Sequence, residues 1–325
     1  MRKIKWGIMG PGKIAHKFAQ SLQDMNEAEL VAVGSRDLGR AKDFAGMYGA
    51  NRIYGSYHEF ALDPEVELVY IATTNQTHFE CAMLCLKAGK GVLMEKPFTI
   101  NAKEAQMLVD TARQHGVFLM EAMWSRFLPV MAKVRELLAA KAIGEVRMVK
   151  ADYGFRGTSD PERRHLNPVL GGGALLDVGI YPLSFAAMIL GAVPDKVTSA
   201  ACIGETGVDE QCSFTLSYKG GEIAALSAAV RTYIPDFAYI LGTEGYIKIP
   251  EFSRSNQLEI IINGKSELLH LPYSSNGFLH QVQEASRCFA EGKLESSTMP
   301  LDETVQIMSI MDQLRSQWGM KYPME

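Results

Sequence analysis

What the chain lacks narrows its possibilities first. There are 37 acidic and 33 basic residues, a net charge of −4, and no basic block, so nothing points to nucleic acid as a partner. Cysteine is scarce, five in 325 residues, and the count is odd. Cys81 and Cys85 stand one helical turn apart, which is not a zinc-ribbon spacing, and Cys202, Cys212 and Cys288 are scattered. This usage reads as reduced thiols in a cytoplasmic protein rather than a disulfide framework. The seven histidines show no ligand spacing, so no metal site is expected. No apolar run reads as long enough to cross a bilayer, and no membrane partner is expected. Met1-Arg2-Lys3-Ile4-Lys5-Trp6 leads straight into a strand, without the layout of a signal peptide. Internal repeats and low-complexity stretches are missing too. What remains, 47% apolar and 22% charged residues, is ordinary globular composition with room for two domains.

The first strand is Ile4 to Gly10, followed by Gly10-Pro11-Gly12-Lys13-Ile14-Ala15 and a helix from Ala15 to Leu22. The pattern is G-x-G-x-x-A, with alanine at the third position of the dinucleotide fingerprint. Gly10 makes the tight turn, Gly12 lets a pyrophosphate approach the backbone, and Ala15 lets the helix pack closely. The helix N-terminus offers free N–H groups and positive potential to the anion. A strand before the motif and a helix after it are the context the fingerprint requires; a tight strand-to-helix turn without a ligand is the alternative. The next strand, Glu29 to Gly34, ends in Ser35-Arg36-Asp37, with Arg40 one turn into the following helix. A small hydroxyl and two guanidinium groups suit a 2′-phosphate, which arginine meets through paired hydrogen bonds. NADP is therefore expected over NAD. In the competing reading Asp37 binds the ribose and the arginines are surface residues.

Strand and helix patterns keep alternating through Met120, giving six strands and a doubly wound parallel (Rossmann) sheet. Thr73, Thr74, Asn75 and His78 follow the strand Glu67 to Thr73 and are candidates for contact with the nicotinamide or its ribose; for His78, helix capping competes. The stretch Gly91-Val92-Leu93-Met94-Glu95-Lys96-Pro97 reads as a buried strand ending on an acid and a lysine. A lysine there faces the crevice in which such sheets bind ligands, so Lys96 is a chemical candidate; a surface lysine at a strand end is the plain alternative. The isomer of the Lys96-Pro97 bond, of the type for which cis is accessible, stays open.

After residue 122 the texture changes, and residues 123–325 read as a second, α+β domain with a large, mostly antiparallel sheet. One helix leads toward Ala140. Eight strand candidates then run from Val146 to Leu271, with hairpin turns at Lys219-Gly220-Gly221 and Asn263-Gly264-Lys265. One face of that sheet needs covering, and a homodimer is expected to supply it. Gly171-Gly172-Gly173 opens an apolar helix in which Asp177 and Tyr181, four residues apart, share a face. An acid and a phenol on an apolar helix need partners; a structural pair and a functional pair are both open readings.

Together these motifs resemble the glucose–fructose oxidoreductase/inositol dehydrogenase family over essentially the whole chain. They are Gly10 to Ala15, Glu95-Lys96-Pro97 and Gly172 through Tyr181. Arg36-Asp37, Arg40-Ala41, Ala88-Gly89-Lys90, Met120-Glu121-Ala122, Trp124, Arg126, Phe127 and Glu205 to Asp209 resemble its dihydrodiol and D-xylose dehydrogenase branch, which has tyrosine where many members have histidine. The resemblance implies an NADP-dependent oxidoreductase that takes a hydride from a secondary alcohol of a sugar, polyol or diol. It implies Tyr181 as general acid/base, Lys96 as the ammonium stabilising its phenolate, and Asp177 as the group orienting Lys96 or the substrate. Cofactor contacts are implied at Gly10, Gly12, Lys13, Ile14, Ser35, Arg36, Arg40, Thr73, Thr74, Asn75, His78, Glu95, Lys96, Trp124 and Arg126. Trp124, Tyr153, Phe155 and Arg163 are candidate substrate contacts, with core packing as the alternative for the aromatics; Arg163, Arg164 and His165 are candidates for the entrance, with an exposed polar loop as the alternative. An NAD-linked inositol or sugar dehydrogenase is a second reading, which Ser35-Arg36 argues against. A non-catalytic NADP-sensing regulator is a third; it would not need Lys96, Asp177 and Tyr181 together.

Overall fold

The structure, a computed structural model, describes residues 3–325; what was read on Met1 and Arg2 lies outside them. The first part of the chain alternates strictly: β1 (Ile4–Met9), α1 (Lys13–Gln23), β2 (Ala28–Gly34), α2 (Leu38–Tyr48), β3 (Arg52–Tyr54), α3 (Tyr57–Ala61), β4 (Leu68–Ile71), α4 (His78–Lys87), β5 (Gly91–Glu95), α5 (Ala102–His115) and β6 (Leu119–Ala122). The strands pair in parallel in the order β3-β2-β1-β4-β5-β6, the doubly wound parallel sheet expected. The order reverses between β1 and β4, which is where such sheets bind ligands. Side-chain oxygens of Asp37, Ser56 and Asn101 cap α2, α3 and α5, each satisfying an N–H that the helix cannot. The ring of Phe60 fills the space over Gly7 and Gly34, where a Cβ would come within 2.5 and 2.9 Å of it. Those two glycines let α3 press on the backbone of β1 and β2.

The remainder contains α6 (Pro129–Ala139), β7 (Val146–Gly154), α7 (Ile180–Leu190), β8 (Lys196–Ile203), β9 (Asp209–Ser217), β10 (Ile223–Ala229), β11 (Ile234–Gly242), β12 (Gly245–Pro250), β13 (Gln257–Ile262), β14 (Lys265–His270), α8 (Leu279–Ala290) and α9 (Leu301–Gln317). The eight strands form one sheet, β14-β13-β12-β11-β7-β10-β9-β8, antiparallel except for β7 against β10. Asn263 and Gly264 both have positive φ, 51° and 76°, as a two-residue hairpin turn requires.

The division into compact units differs from a cut after residue 122. One unit runs to Trp124 and resumes at Ser274–Val305; the other comprises Ser125–Tyr273 and Gln306–Glu325. The cause is α8, a helix not read from the sequence, which packs against α1 and carries the returning segment into the first unit. The segment 168–190 also corrects the reading of apolar runs. It is long and apolar enough for a span; its most apolar 18-residue window has mean hydropathy 1.7, but 83% of that window is buried. It packs on β7 and β10 as a core element.

Candidate active site

In the first unit, Gly10 leaves β1 with φ +87°, and a Cβ there would meet Thr73 Cγ2 at 2.8 Å and Thr73 N at 2.9 Å. Only glycine lets β1 and the end of β4 approach this closely. Gly12 caps α1 with no side-chain hydrogen bond, and a Cβ on it would meet nothing within 4 Å. No side chain caps the start of α1 and the space beside Gly12 is clear, which suits the cradle that a pyrophosphate needs. Lys13 is exposed and Ile14 half-buried beside that opening.

At the end of β2, Ser35 is buried and its Oγ accepts from Asp37 N at 3.1 Å. Asp37 Oδ1 accepts from Arg40 N at 3.1 Å. The one acid at this strand end is thus occupied as the cap of α2. Arg36 and Arg40 are both exposed and flank Tyr57. Burial raises that phenol, while a hydrogen bond with Arg36 and the charge of Arg40 pull it down. Two guanidinium groups beside one phenol, with the carboxylate engaged elsewhere, fit a ribose carrying a 2′-phosphate.

The ends of β4 and β5 are built as one body. Tyr70 is fully buried; its ring stacks on Phe18 of α1 at 3.8 Å with 7° between planes, and its hydroxyl donates to Glu95 Oε1. The other Glu95 oxygen accepts from Lys96 N at 3.2 Å. Glu95 thus holds the strand end. Lys96 is half-buried, and the Lys96-Pro97 bond is cis. His78 lies 2.9 Å from Pro97 O through Nδ1 and 3.2 Å from Thr73 O through Nε2. It is 1% exposed, and both ring nitrogens face the backbone of the two strand ends. Burial lowers its pKa to about 4 against the pull of the carbonyls of Pro97, Thr73 and Phe98. Asn75 is buried in the one-turn helix between Thr73 and α4, and Thr74 O accepts from Thr77 N at 2.8 Å. Trp124 stacks on Phe278 from the returning segment, with centroids 5.1 Å apart.

In the second unit, the glycine run leads into a π-helical turn, Leu175–Gly179, and then α7. The continuous α-helix read from the sequence is replaced by this wider turn, so Asp177 and Tyr181 belong to different helical geometries. Asp177 is 3% exposed and accepts from Arg164 Nη2 at 2.7 Å. Its neighbour Arg163 is exposed and pairs with Asp160 at 3.3 Å. Of the two adjacent arginines, Arg164 is the one that meets Asp177. Tyr181 is half-buried, and the ring of Tyr153 from β7 meets it edge-on at 5.5 Å. Phe155 packs against His165 at 5.7 Å. Arg126, expected at the cofactor, is 3% exposed; its Nε donates to Ser184 Oγ at 2.8 Å and its Nη2 to Ser184 O at 2.6 Å. It braces α7 from behind.

Sequence reasoning missed Tyr70, Tyr57 and Phe278. Only Tyr70 carried a signal, since a phenol in an apolar strand needs a partner for its hydroxyl.

Residues 4–123 match the family model described as the GFO_IDH_MocA oxidoreductase family, NAD-binding Rossmann fold, and residues 131–248 match the GFO/IDH/MocA C-terminal domain. The chain is similar to trans-1,2-dihydrobenzene-1,2-diol dehydrogenase of Xenopus tropicalis, 38% identical over 330 residues that cover 98% of this chain and 99% of the relative. It is similar to the Mus musculus protein of the same name, 37% identical over 333 residues and 99% of each chain. Among solved structures it resembles the 3-ketoreductase KijD10 from Actinomadura kijaniata in complex with NADP and TDP-benzene. That match has TM-score 0.86 and 25% identity, covering 97% of this chain and 98% of the other. In fold it also resembles an aldose-aldose oxidoreductase from Caulobacter crescentus complexed with glycerol, with TM-score 0.89, 24% identity and 98% of each chain covered.

The buried His78 makes stability pH-dependent. Unfolded, the imidazole takes a proton near pH 6.5; folded, it does not until about pH 4. Its contribution is present above the unfolded value and is lost as pH falls through that window, at up to about 1.4 kcal/mol per pH unit. Denaturant titrations across this range are expected to show the slope in the native chain and a flatter profile in His78→Gln. An identical slope in the variant would assign the acid sensitivity to other groups.

Proposed function

The chain belongs to the GFO/IDH/MocA oxidoreductase family, and we propose that it is an NADP-dependent dehydrogenase oxidising a secondary alcohol of a diol or sugar. The observation that carries the cofactor choice is the end of β2: Asp37 caps α2 while Arg36 and Arg40 stay exposed around Tyr57. The relatives named as trans-dihydrodiol dehydrogenases and the NADP complex of the ketoreductase support the same reading.

Gly10 and Gly12 give the pyrophosphate its approach, with Lys13 and Ile14 at the same helix start. Ser35, Arg36 and Arg40 hold the phosphorylated ribose, and Thr73, Thr74 and Asn75 line the strand end where the nicotinamide ribose belongs. Bound NADP supplies the hydride acceptor. Tyr181 takes the hydroxyl proton. A free phenol is a weak base near neutrality, with a pKa of about 10, and an adjacent ammonium lowers it by stabilising the phenolate. Lys96 supplies that ammonium and a hydrogen bond to the reacting oxygen, and Glu95 fixes the backbone it hangs from. Asp177, held by Arg164, orients the substrate hydroxyl. Trp124, Tyr153 and Phe155 offer aromatic faces to a ring or a sugar.

We read the protein as cytoplasmic, because five free cysteines suit a reducing compartment, and as a homodimer. The second copy covers the sheet face that carries Lys150, Asp152, Thr198, Ser213, Thr215 and Ser227, which lines an open depression of about 550 Å³.

Two substitutions test the assignment. Arg36→Ala is expected to raise KM for NADP about tenfold or more and leave KM for NAD unchanged, the loss of a charge-assisted phosphate contact; an unaltered NADP preference would overturn the choice of cofactor. Tyr181→Phe is expected to lower kcat by about 10²–10⁴-fold at nearly constant NADP affinity. Unchanged turnover would remove Tyr181 from the chemistry.

A further inference from the structure

The glycine run before the Tyr181 turn is gripped from three sides within the second unit. On one side is the loop before it: Gly172 N donates to Asn167 O and Gly173 N to His165 O, both at 3.0 Å. A Cβ on Gly172 would sit 2.7 Å from Arg164 O and 2.9 Å from Asn167 N and O. On the second side is Asp209, at the start of β9. Its carboxyl is completely buried, its Oδ2 accepts from Leu175 N at 2.7 Å, and its Oδ1 faces Gly173 so closely that a Cβ there would collide with it. Gly173 itself has φ +118°. On the third side is Tyr322, buried after α9, whose hydroxyl donates to Gly172 O and faces the same side of Gly173.

Tyr322 is itself fixed. The Arg315 guanidinium lies over its ring at 4.9 Å. Arg315, 3% exposed, donates to Glu325 at 2.6 and 2.9 Å and to Asp312 at 2.6 Å. Glu325 Oε2 accepts in turn from Tyr322 N at 2.9 Å. Asp209 is costly to keep. Burial raises its carboxyl to about 7, and a serine or asparagine would cap the turn at less desolvation cost. What the acid and the phenol share is one object: the backbone that sets where the π turn begins, two residues before Asp177 and six before Tyr181.

We infer that Asp209 and Tyr322 are positioning residues that set the placement of the Asp177–Tyr181 turn by holding Leu175 N–H and Gly172 C=O. Neither touches substrate or cofactor. Through them, residues 315–325 become part of the catalytic architecture, although they lie far from it in sequence. A shift of the reacting groups by about 1 Å costs on the order of 100-fold in rate, so small backbone displacements here are read out in turnover. The inference rests on the dehydrogenase reading for its kinetic consequence and on geometry alone for its structural one.

The test uses full-length Tyr322→Phe, Asp209→Ala and Asp209→Asn, with steady-state kinetics, NADP binding and amide exchange over residues 174–181. Tyr322→Phe and Asp209→Ala are expected to lower kcat about tenfold or more, to keep the NADP Kd within about twofold, and to speed exchange in that segment. Asp209→Asn, which keeps an acceptor for Leu175 N–H, is expected to restore most of the turnover lost in Asp209→Ala. Native kcat and native exchange in both deletions would overturn the inference. So would parallel losses of turnover and NADP affinity, which mark general destabilisation, or an asparagine variant no better than alanine. If the native chain reduces NADP with no alcohol, the dehydrogenase reading fails by itself, and exchange at 174–181 alone decides whether the clasp holds the turn.

Discussion

The hydrogen bond from Tyr70 to Glu95, made within an aromatic stack, is the constraint on which the nucleotide half depends. Tyr70 is sandwiched in the core against Phe18, and Trp6 meets Phe18 edge-on at 5.2 Å. Phe18 belongs to the helix whose start is the proposed phosphate cradle, and Glu95 is the last residue of the strand that delivers Lys96. One buried side chain therefore ties the anion site to the lysine. In so dry a setting a bond to a carboxylate is stronger than in water, and leaving either partner without the other would be costly. The second Glu95 oxygen takes Lys96 N–H and His78 reaches the Pro97 carbonyl, so the backbone on both sides of Lys96 is fixed from the interior while its side chain remains half-buried.

The other unit solves a comparable problem with different means. Asp177 is nearly buried and its partner Arg164 is about half exposed, the two side chains being 4% and 46% accessible. A pair reaching water contributes little to stability. Its effect is orientation: the arginine determines which way the carboxylate points. Arg126 does the same for α7 through Ser184. Charged groups here hold geometry, while the folding energy comes from apolar burial of Leu175, Leu176, Val178 and Ile180 on the sheet.

Much of this could be read before folding. Gly10 and Ala15 announced the first turn because each meets a local steric demand, a positive φ at Gly10 and a fully buried small side chain at Ala15. The strands of the first sheet, buried on both faces, read as continuous apolar runs. The pairing of Asn263 with Gly264 stated its own turn type. What could not be read depends on distant contacts. Nothing in Leu279 to Ala290 shows that it returns to α1, because an amphipathic helix specifies a face and not a partner. The π turn at Leu175 arises where the glycine run is held by Asp209 and Tyr322, 34 and 147 residues further along the chain than Leu175 itself, so α-helical spacing misjudged the relation of Asp177 to Tyr181. His78 and Arg126 were read as cofactor contacts from their place in the chain. That both are buried, His78 against the Thr73 and Pro97 carbonyls and Arg126 against Ser184, could not be read there, because sequence position does not report burial.

The central claim is chemical, and the most direct measurement is nicotinamide absorbance. The full chain and NADP are mixed with aldoses, polyols and trans-dihydrodiols, and the best substrate is then repeated with deuterium on its carbinol carbon. The expected result is reduced nicotinamide from at least one of these classes, formed more slowly from the deuterated alcohol. Tight NADP binding with no reduction by any of them would contradict a catalytic role and leave a nucleotide-binding protein.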